Sequence, residues 1–485
     1  MRFHRLTLLT LLTLSVLACQ QVKDPSLALK KAPISNKNIQ VKLPAVSETD
    51  LPNGAHLMVL EDHRLPLVSF QIVIPGAGGY FDPAGKEGSA LFAAAMLTRG
   101  TKSLTKKQID QELERTAAGL SVSARMEGEN AVLSGSCLSE HFERILGLAA
   151  DILLHPGFPD RELALLKTEQ LNHLLTQRSD PDFLAWKMFS KVVYGDHPGS
   201  RLAPTEAGIR DLKREDLIEF HKSKYVPDYA VIGISGDITA EEAKQVATAE
   251  LSSWEKAGTA KPLFSDPAPI GPAKIHVVHR PHSVQTVLMA GTQGIRRDDP
   301  DFIILTYLNQ VLGSNSSRRL FQNLRERHAY TYGCYSSARF RAYKGLWVAR
   351  TQGVRLEVTE PALKEILFEL ERIRTGPVPE QEMKDVKRMT SAEFALATES
   401  SDKVLGDVIT RWTYRFPGDY WDRYPEKIQA VTSAEVQEYA KKFLAPDRIH
   451  IVAVGDAEKI VEGLKKFGPV EIFDTDGKPI ILGSK

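Results

Sequence analysis

The stretch "KYVPDYAVIGISGD" (224–237) returns, altered but legible, as "KFLAPDRIHIVAVGD" (442–456). Pro227 and Pro446 stand 219 positions apart (446 − 227), and the same distance separates Asp228 from Asp447, Gly236 from Gly455 and Asp237 from Asp456. Each copy is a turn, an apolar run and a Gly-Asp stop, the signature of a buried strand. Upstream, "FPDRELALLK" (158–167) matches "VPEQEMKDVK" (378–387), with Pro159/Pro379, Glu162/Glu382 and Lys167/Lys387 in register. An amphipathic helix precedes each. Leu146, Ala149 and Leu153 correspond to Ile366, Glu369 and Ile373, and the outer two pairs keep the apolar face. Offsets this steady mark an internal duplication.

Within each half, strand patterns come first and helical patterns follow. "HLMVL" (56–60) and "PLVSFQIVIP" (66–75) read as strands, and "SARMEGENAVLSGSC" (123–137) returns to strand. A helix over 142–154 and long helical patterns around 160–190 follow. This order predicts α+β halves, each a sheet with helices packed on it, rather than a regular βαβ winding. "KAGTAKPLFSDPAPIGPAK" (256–274), rich in Pro, Ala and Gly, reads as a linker. The expected organisation is a first half over 46–255, the linker, and a second half over 275–475.

Composition narrows the class. The 485 residues are 42% hydrophobic and 25% charged, enough for ordinary globular cores. A formal net charge of +1 argues against a nucleic-acid-binding protein. The N-terminus "MRFHRLTLLTLLTLSVLAC" carries Arg2 and Arg5, an apolar run and a small residue before Cys19. It reads as a signal peptide over 1–18. The "VLAC" ending resembles a bacterial lipobox, making Cys19 the lipidated first residue and 19–45 a polar tether; simple secretion is the alternative. Gln20 resembles outer-membrane sorting, so the expected place is the periplasm, on the inner leaflet of the outer membrane. No later segment approaches the roughly 20 apolar residues of a membrane span. Cys137 and Cys334 are too few for a disulfide framework and read as buried thiols. Neither belongs to a Cys-x-x-Cys pair that would suit zinc.

"EGSALFAAAMLTRGT" (87–101) is a short helix rich in Ala, with Gly100 where a C-terminal cap would sit. Positions 91, 94 and 95 share one face. That spacing suits two His ligands and a Glu base, yet the face carries Leu91, Ala94 and Ala95. None of these can bind a metal or move a proton.

That helix belongs to a longer stretch, "LPNGAHLMVLEDHRLPLVSFQIVIPGAGGYFDPAGKEGSALFAAAMLTRGT" (51–101). It resembles the opening of the pitrilysin/insulinase-type zinc metallopeptidase family, in its two-half, processing-peptidase-like form. "RPHSVQTVLMAGTQGIRRDDPDF" (280–302) and "NQVLGSNSSRRLFQNLRERHAYTYGCYSS" (309–337) resemble the start of that family's second half. The likeness spans roughly residues 45–475. In active members this helix carries His-x-x-Glu-His, the His residues binding zinc and the Glu activating water. Aligned on "MLTRGT", those places fall on Leu91, Ala94 and Ala95, which implies a non-catalytic member with no cofactor of its own. The family's third ligand, a Glu, would lie in "LLKTEQLNHLLTQRSDP" (165–181), where Glu169 and His173 are the nearest polar side chains. Solvated helix positions are the alternative for both.

The resemblance also assigns an Arg and a Tyr seven residues apart, Arg325 and Tyr332, which in active enzymes hold the substrate backbone and the developing oxyanion. A guanidinium and a phenol both stabilise negative charge. Without the family frame they read as a surface ion-pairing residue and a half-buried strand residue. Together these features imply a subunit that supplies Arg325 and Tyr332 to a zinc-bearing paralogue with His-x-x-Glu-His, the pair acting on peptide or unfolded-protein substrates. The alternatives are an envelope scaffold built on a degenerate peptidase fold, or a self-sufficient peptidase with a rearranged metal site. Other sites are weaker. In "HVVHRPH", strand alternation puts His276 and His282 on one face and His279 on the other, which is poor ligand geometry, so the stretch reads as an ordinary strand edge. His63 reads as an exposed loop residue. "GAGGY" (76–80) lacks the Gly-Lys-Ser/Thr of a phosphate loop and reads as a tight turn.

Overall fold

The computed structural model describes residues 42–482; the signal peptide, Cys19 and nearly all of the tether lie outside the described residues. The first sheet comprises β1 (Ser47–Asp50), β2 (His56–Glu61), β3 (Leu67–Pro75), β4 (Gly119–Ala124), β5 (Asn130–Leu138) and β6 (Val231–Gly236), in the order β1-β2-β6-β3-β5-β4. The second comprises β7 (Ile275–His279), β8 (Gln285–Gln293), β9 (Cys334–Arg339), β10 (Leu346–Thr351), β12 (His450–Gly455) and β13 (Val470–Phe473), ordered β13-β7-β12-β8-β10-β9, with the short β11 (Val354–Arg355) pairing β8. Superposing the two orders pairs β2 with β7, β6 with β12, β3 with β8, β5 with β10 and β4 with β9. The senses agree as well: β2–β6 and β7–β12 are parallel, and the remaining neighbours in these five-strand sets are antiparallel. The repeated motif that opens the sequence reading forms β6 and β12, the same place in both sheets.

Every residue of β6 and of β12 is buried. A strand buried along its whole length needs cover on both faces. One face of each sheet is covered by its own half. Helices Ser89–Leu97, Phe142–Leu154 and Ala240–Glu250 close the first core, and Phe302–Leu312, Thr359–Thr375, Ser433–Phe443 and Ala457–Leu464 close the second. The pattern pairs Leu146 with Ile366 and Leu153 with Ile373, and all four are fully buried.

The other face of each sheet is covered by the opposite half. Helix Pro181–Tyr194, from the first half, lays Leu184, Ala185, Met188, Phe189 and Val193 on Val278, Val287, Met289, Val348, Val452 and Val454 of the second sheet. Helix Ser401–Thr413, from the second half, lays Leu405, Val408 and Ile409 on Met58, Val73 and Val231 of the first. Two strand glycines make room for this exchange. A Cβ at Gly233 would sit 2.9 Å from both Leu405 Cδ2 and Ile409 Cδ1, and one at Gly291 would meet Phe189 Cζ at 2.7 Å. Each large side chain buried at these seams contributes about 1.5–3 kcal/mol. The linker is tied down too: Ser265 bonds Tyr80 and His197, and Gln293 Nε2 donates to the Ala268 carbonyl.

Three local expectations are revised. Gly100 is not the cap of its helix, which ends at Leu97 with Thr98 following. Gly100 lies further on at φ 136°, where its backbone opens a bridge to Thr105. Strand β7 is not an edge: it lies between β13 and β12. His282 falls beyond that strand at φ 61°, so it does not share a strand face with His276. Cys137 and Cys334 are free and buried, as the sequence reading has them.

Candidate functional site

The helix Ser89–Leu97 is held at its N-terminus by Asp82. The carboxylate accepts from Gly88 N at 2.7 Å and Ala90 N at 2.8 Å, meeting two donors that the first turn leaves unpaired. Burial pushes this carboxyl up to about 6, against the pull of both hydrogen bonds. The sequence reading did not single out Asp82. Its signal is an acidic residue a few positions before a capless Gly-Ser helix start. On the helix, Ala94 is buried, and Leu91 and Ala95 are half-buried against the first core.

The residues around this face do not fit zinc. Leu91, Ala94 and Ala95 offer no nitrogen, oxygen or sulfur ligand. Glu169, on helix Asp160–Ser179, is gripped instead by Arg99: Nη2 lies 2.6 Å and Nη1 3.4 Å from its two carboxylate oxygens. Arg99 also reaches Glu162 at 3.7 Å. A guanidinium stays charged at any working pH, so Glu169 already has a permanent cation. His173 is exposed on the same helix. Among the described residues, no three His, Cys, Asp or Glu side chains converge as a metal site. Arg99 lies in the quoted "MLTRGT" but escaped the sequence reading, because its partner is a helix far along the chain.

Arg325 and Tyr332 both precede β9, an edge strand of the second sheet that begins at Cys334. Residues Gln322–Arg327 form a wide π-helical turn, a geometry often found at functional positions. The turn is anchored from beneath. Arg319 is buried and clamps Glu382 with bonds of 2.8 and 2.6 Å. Asn323 Nδ2 donates to Glu369 at 2.9 Å and to Glu365 at 3.0 Å. Glu369 is the residue that interrupts the repeated apolar face, and it is only 1% exposed. That interruption was the sequence signal for the anchor. After the turn, Ala329 adopts φ 51°, and Gly333 N bonds Thr331 Oγ1 at 3.3 Å.

On this base Arg325 is part-exposed and lies 3.7 Å from Glu326. Tyr332 is 76% exposed and forms no hydrogen bond among the described residues. No bond joins the two side chains there, nor either of them to Leu91, Ala94 or Ala95. What the arrangement offers is a cation and a phenolic donor, both open to a molecule arriving from outside.

The rival positions resolve as follows. His63 is exposed and bonds Asp237 at 2.8 Å, which raises its pKa. His279 Nδ1 accepts from Ala457 N at 3.2 Å. Gly78 and Gly79 press against the backbone of Met126 and Gly128, so close that a Cβ at either would collide, as a tight turn requires.

Residues 57–195 match the family described as insulinase (peptidase family M16), and residues 211–390 match the peptidase M16 inactive domain. The chain therefore belongs to the M16 peptidase family, with the zinc motif absent from its first half. Relatives include an uncharacterized zinc protease of Rickettsia bellii, 27% identical over 72% of this chain and 83% of that protein. A protein named non-peptidase homolog YmxG, from Helicobacter pylori, is 21% identical over 82% and 91%. The solved structure of a peptidase M16 inactive domain from Pseudomonas fluorescens matches with TM-score 0.78 and 28% identity, covering 84% of this chain and 98% of that one.

Proposed function

We propose that this chain is the non-catalytic subunit of a two-chain zinc peptidase in the bacterial envelope. The carrying observation is the contrast within one chain. The helix that would bear the ligands is intact but aliphatic, while Arg325 and Tyr332 are mounted on a buried polar network and left open. The partner in this reading is a paralogue with His-x-x-Glu-His and the zinc, and the substrate is a peptide or unfolded segment held between the two chains. Arg325 and Tyr332 donate to the peptide carbonyl as negative charge develops on its oxygen. Cys19 and the "VLAC" ending support placing the subunit as a periplasmic lipoprotein at the outer membrane. The name of the Helicobacter relative and the M16 inactive-domain match support the non-catalytic role.

The test is turnover of a generic peptide by the co-purified pair. Tyr332→Phe or Arg325→Ala should lower kcat by about 10²–10³, because such donors act mainly in the transition state. Gel filtration should show the complex unchanged. Intact complexes with unaltered turnover in both variants would leave the scaffold reading, which the Arg99–Glu169 clamp favours: it rebuilds a ligand helix as an ordinary structural contact.

A further inference from the structure

A cavity of about 770 Å³ opens at the edge of the second sheet opposite β9, beside β13. Its walls come from both halves. The exchanged helix Pro181–Tyr194 supplies Leu184 and Met188, and the second sheet supplies Val278 and Phe473. The size and the mainly apolar lining are those of a small-molecule or peptide site.

Three polar groups in this cavity lack what their chemistry asks for. Arg201 Nη1 is buried with no hydrogen-bond partner among the described residues; the guanidinium lies 3.9 Å from Glu87 and its charge also reaches the Asp82 carboxyl. Lys187 meets the Asp476 carbonyl at 3.3 Å but forms no direct ion pair among the described residues. The third group is His276, on the cavity floor and 7% exposed. His450 Nε2 faces the Gly271 carbonyl at 3.0 Å, and a carbonyl only accepts, so that nitrogen carries the proton. His450 Nδ1 is then bare and accepts from His276 Nε2 at 3.3 Å. This leaves His276 Nδ1 as a lone pair, buried and unpartnered, with the Glu471 carboxylate 3.6 Å away as another acceptor. The cavity thus asks for an anion at its cationic groups and for an N–H at its floor.

We propose that this cavity binds a short apolar peptide by its free C-terminus, the carboxylate meeting Lys187 and Arg201, a backbone N–H meeting His276 Nδ1, and the side chains lying on Leu184, Met188, Val278 and Phe473. A peptide tail carries an anion, an N–H donor and apolar bulk together, which a fatty acid does not. Burial lowers the pKa of Lys187 and holds His276 down to about 4, so at neutral pH the histidine remains an acceptor. Glu471 is the other titratable group against His276 and is kept ionised by Lys274, 2.6 Å away. Asp474 and Asp476 face Lys187 from the hairpin after β13.

The experiment is calorimetric titration of the full chain with acetyl-Leu-Leu-Leu, its C-terminal amide and decanoate. The acid should bind about tenfold more tightly than the amide, the value of one charge-assisted contact. Lys187→Gln should shrink the acid's advantage over the amide, with Arg201 keeping the remainder, and should leave the amide unchanged; an undiminished advantage would count against the contact. Equal binding of acid and amide, binding of decanoate but not of the peptide, or no binding to any of the three would overturn the proposal. Melting curves of Lys187→Gln verify folding. Arg325→Ala and Tyr332→Phe should leave this titration unchanged, so the cavity and the subunit reading stand or fall separately.

Discussion

The two exchanged helices do the same task and leave different walls behind. Helix Pro181–Tyr194 seals the outer strands of the second sheet. Trp186 lies under the Arg339 guanidinium at 3.8 Å, and Asp182 bonds Arg350 at 2.8 Å. Helix Ser401–Thr413 covers β2, β6 and the Val73 end of β3, touching Val132 of β5, but leaves the rest of the outer strands open. There a groove of about 600 Å³ remains, lined by Ser69, Gln71, Ser121 and Ser134, with Asp402 at its rim. Equal topology therefore does not bring equal surface. One repeat carries aromatic and cationic side chains that a helix can cover, and the other carries serines that water can cover.

The contrast breaks most visibly in the seams. Phe189→Ala should cost about 3–5 kcal/mol and Ile409→Ala about 2, since the phenyl is fully enclosed and fits against Gly291. Urea unfolding measures both. A single transition is expected, because each half covers the other; two separate transitions would show that the halves stand alone.

A smaller effect lies in pH. Burial holds His221 in the first half and His276 in the second to about 4, against 6.5 when unfolded. Below 6.5 the unfolded chain gains a proton at each that the folded chain refuses, so stability should fall as pH drops from 6.5 to 4. The loss is on the order of 2–3 kcal/mol per histidine. His221→Phe and His276→Phe should each flatten that slope in denaturant titrations, and an unchanged slope would count against the burial argument. Asp82 acts oppositely: its carboxyl, raised to about 6, adds stability as pH falls below that value.

The smallest effect tests the open wall. Ser121→Ala should stay within about 0.5 kcal/mol, as solvated positions do. Trp186→Ala, on the sealed wall, should cost measurably more in the same assay. Equal costs would mean that the serine groove is structurally committed after all.

The repeat made the architecture legible early. Gly236/Gly455 and Asp237/Asp456 mark one strand position in both sheets, and the helical stretch at 142–154 needed no revision. The exchange could not be read, because periodicity shows that Leu184, Met188 and Phe189 seek cover but not which sheet provides it. The same limit applies at the sites. Leu91, Ala94 and Ala95 announce a lost chemistry locally, within one turn of helix. Arg99 with Glu169, Asn323 with Glu369 and His276 with His450 are pairs made only by the tertiary fold. The displacement of His282 from its strand follows from a positive φ that alternation does not foresee.

The helix exchange also imposes an order of events on the growing chain. Met58, Val73 and Val231 are translated early, yet the helix that shields them begins only at Ser401. Until then one side of the first sheet is a sticky apolar surface, joined to its cover by contacts of very long sequence separation, which slow folding and invite aggregation. A nascent or truncated product ending in the 256–274 segment leaves that apolar face uncovered, and the first sheet is sealed only when the helix beginning at Ser401 has been made.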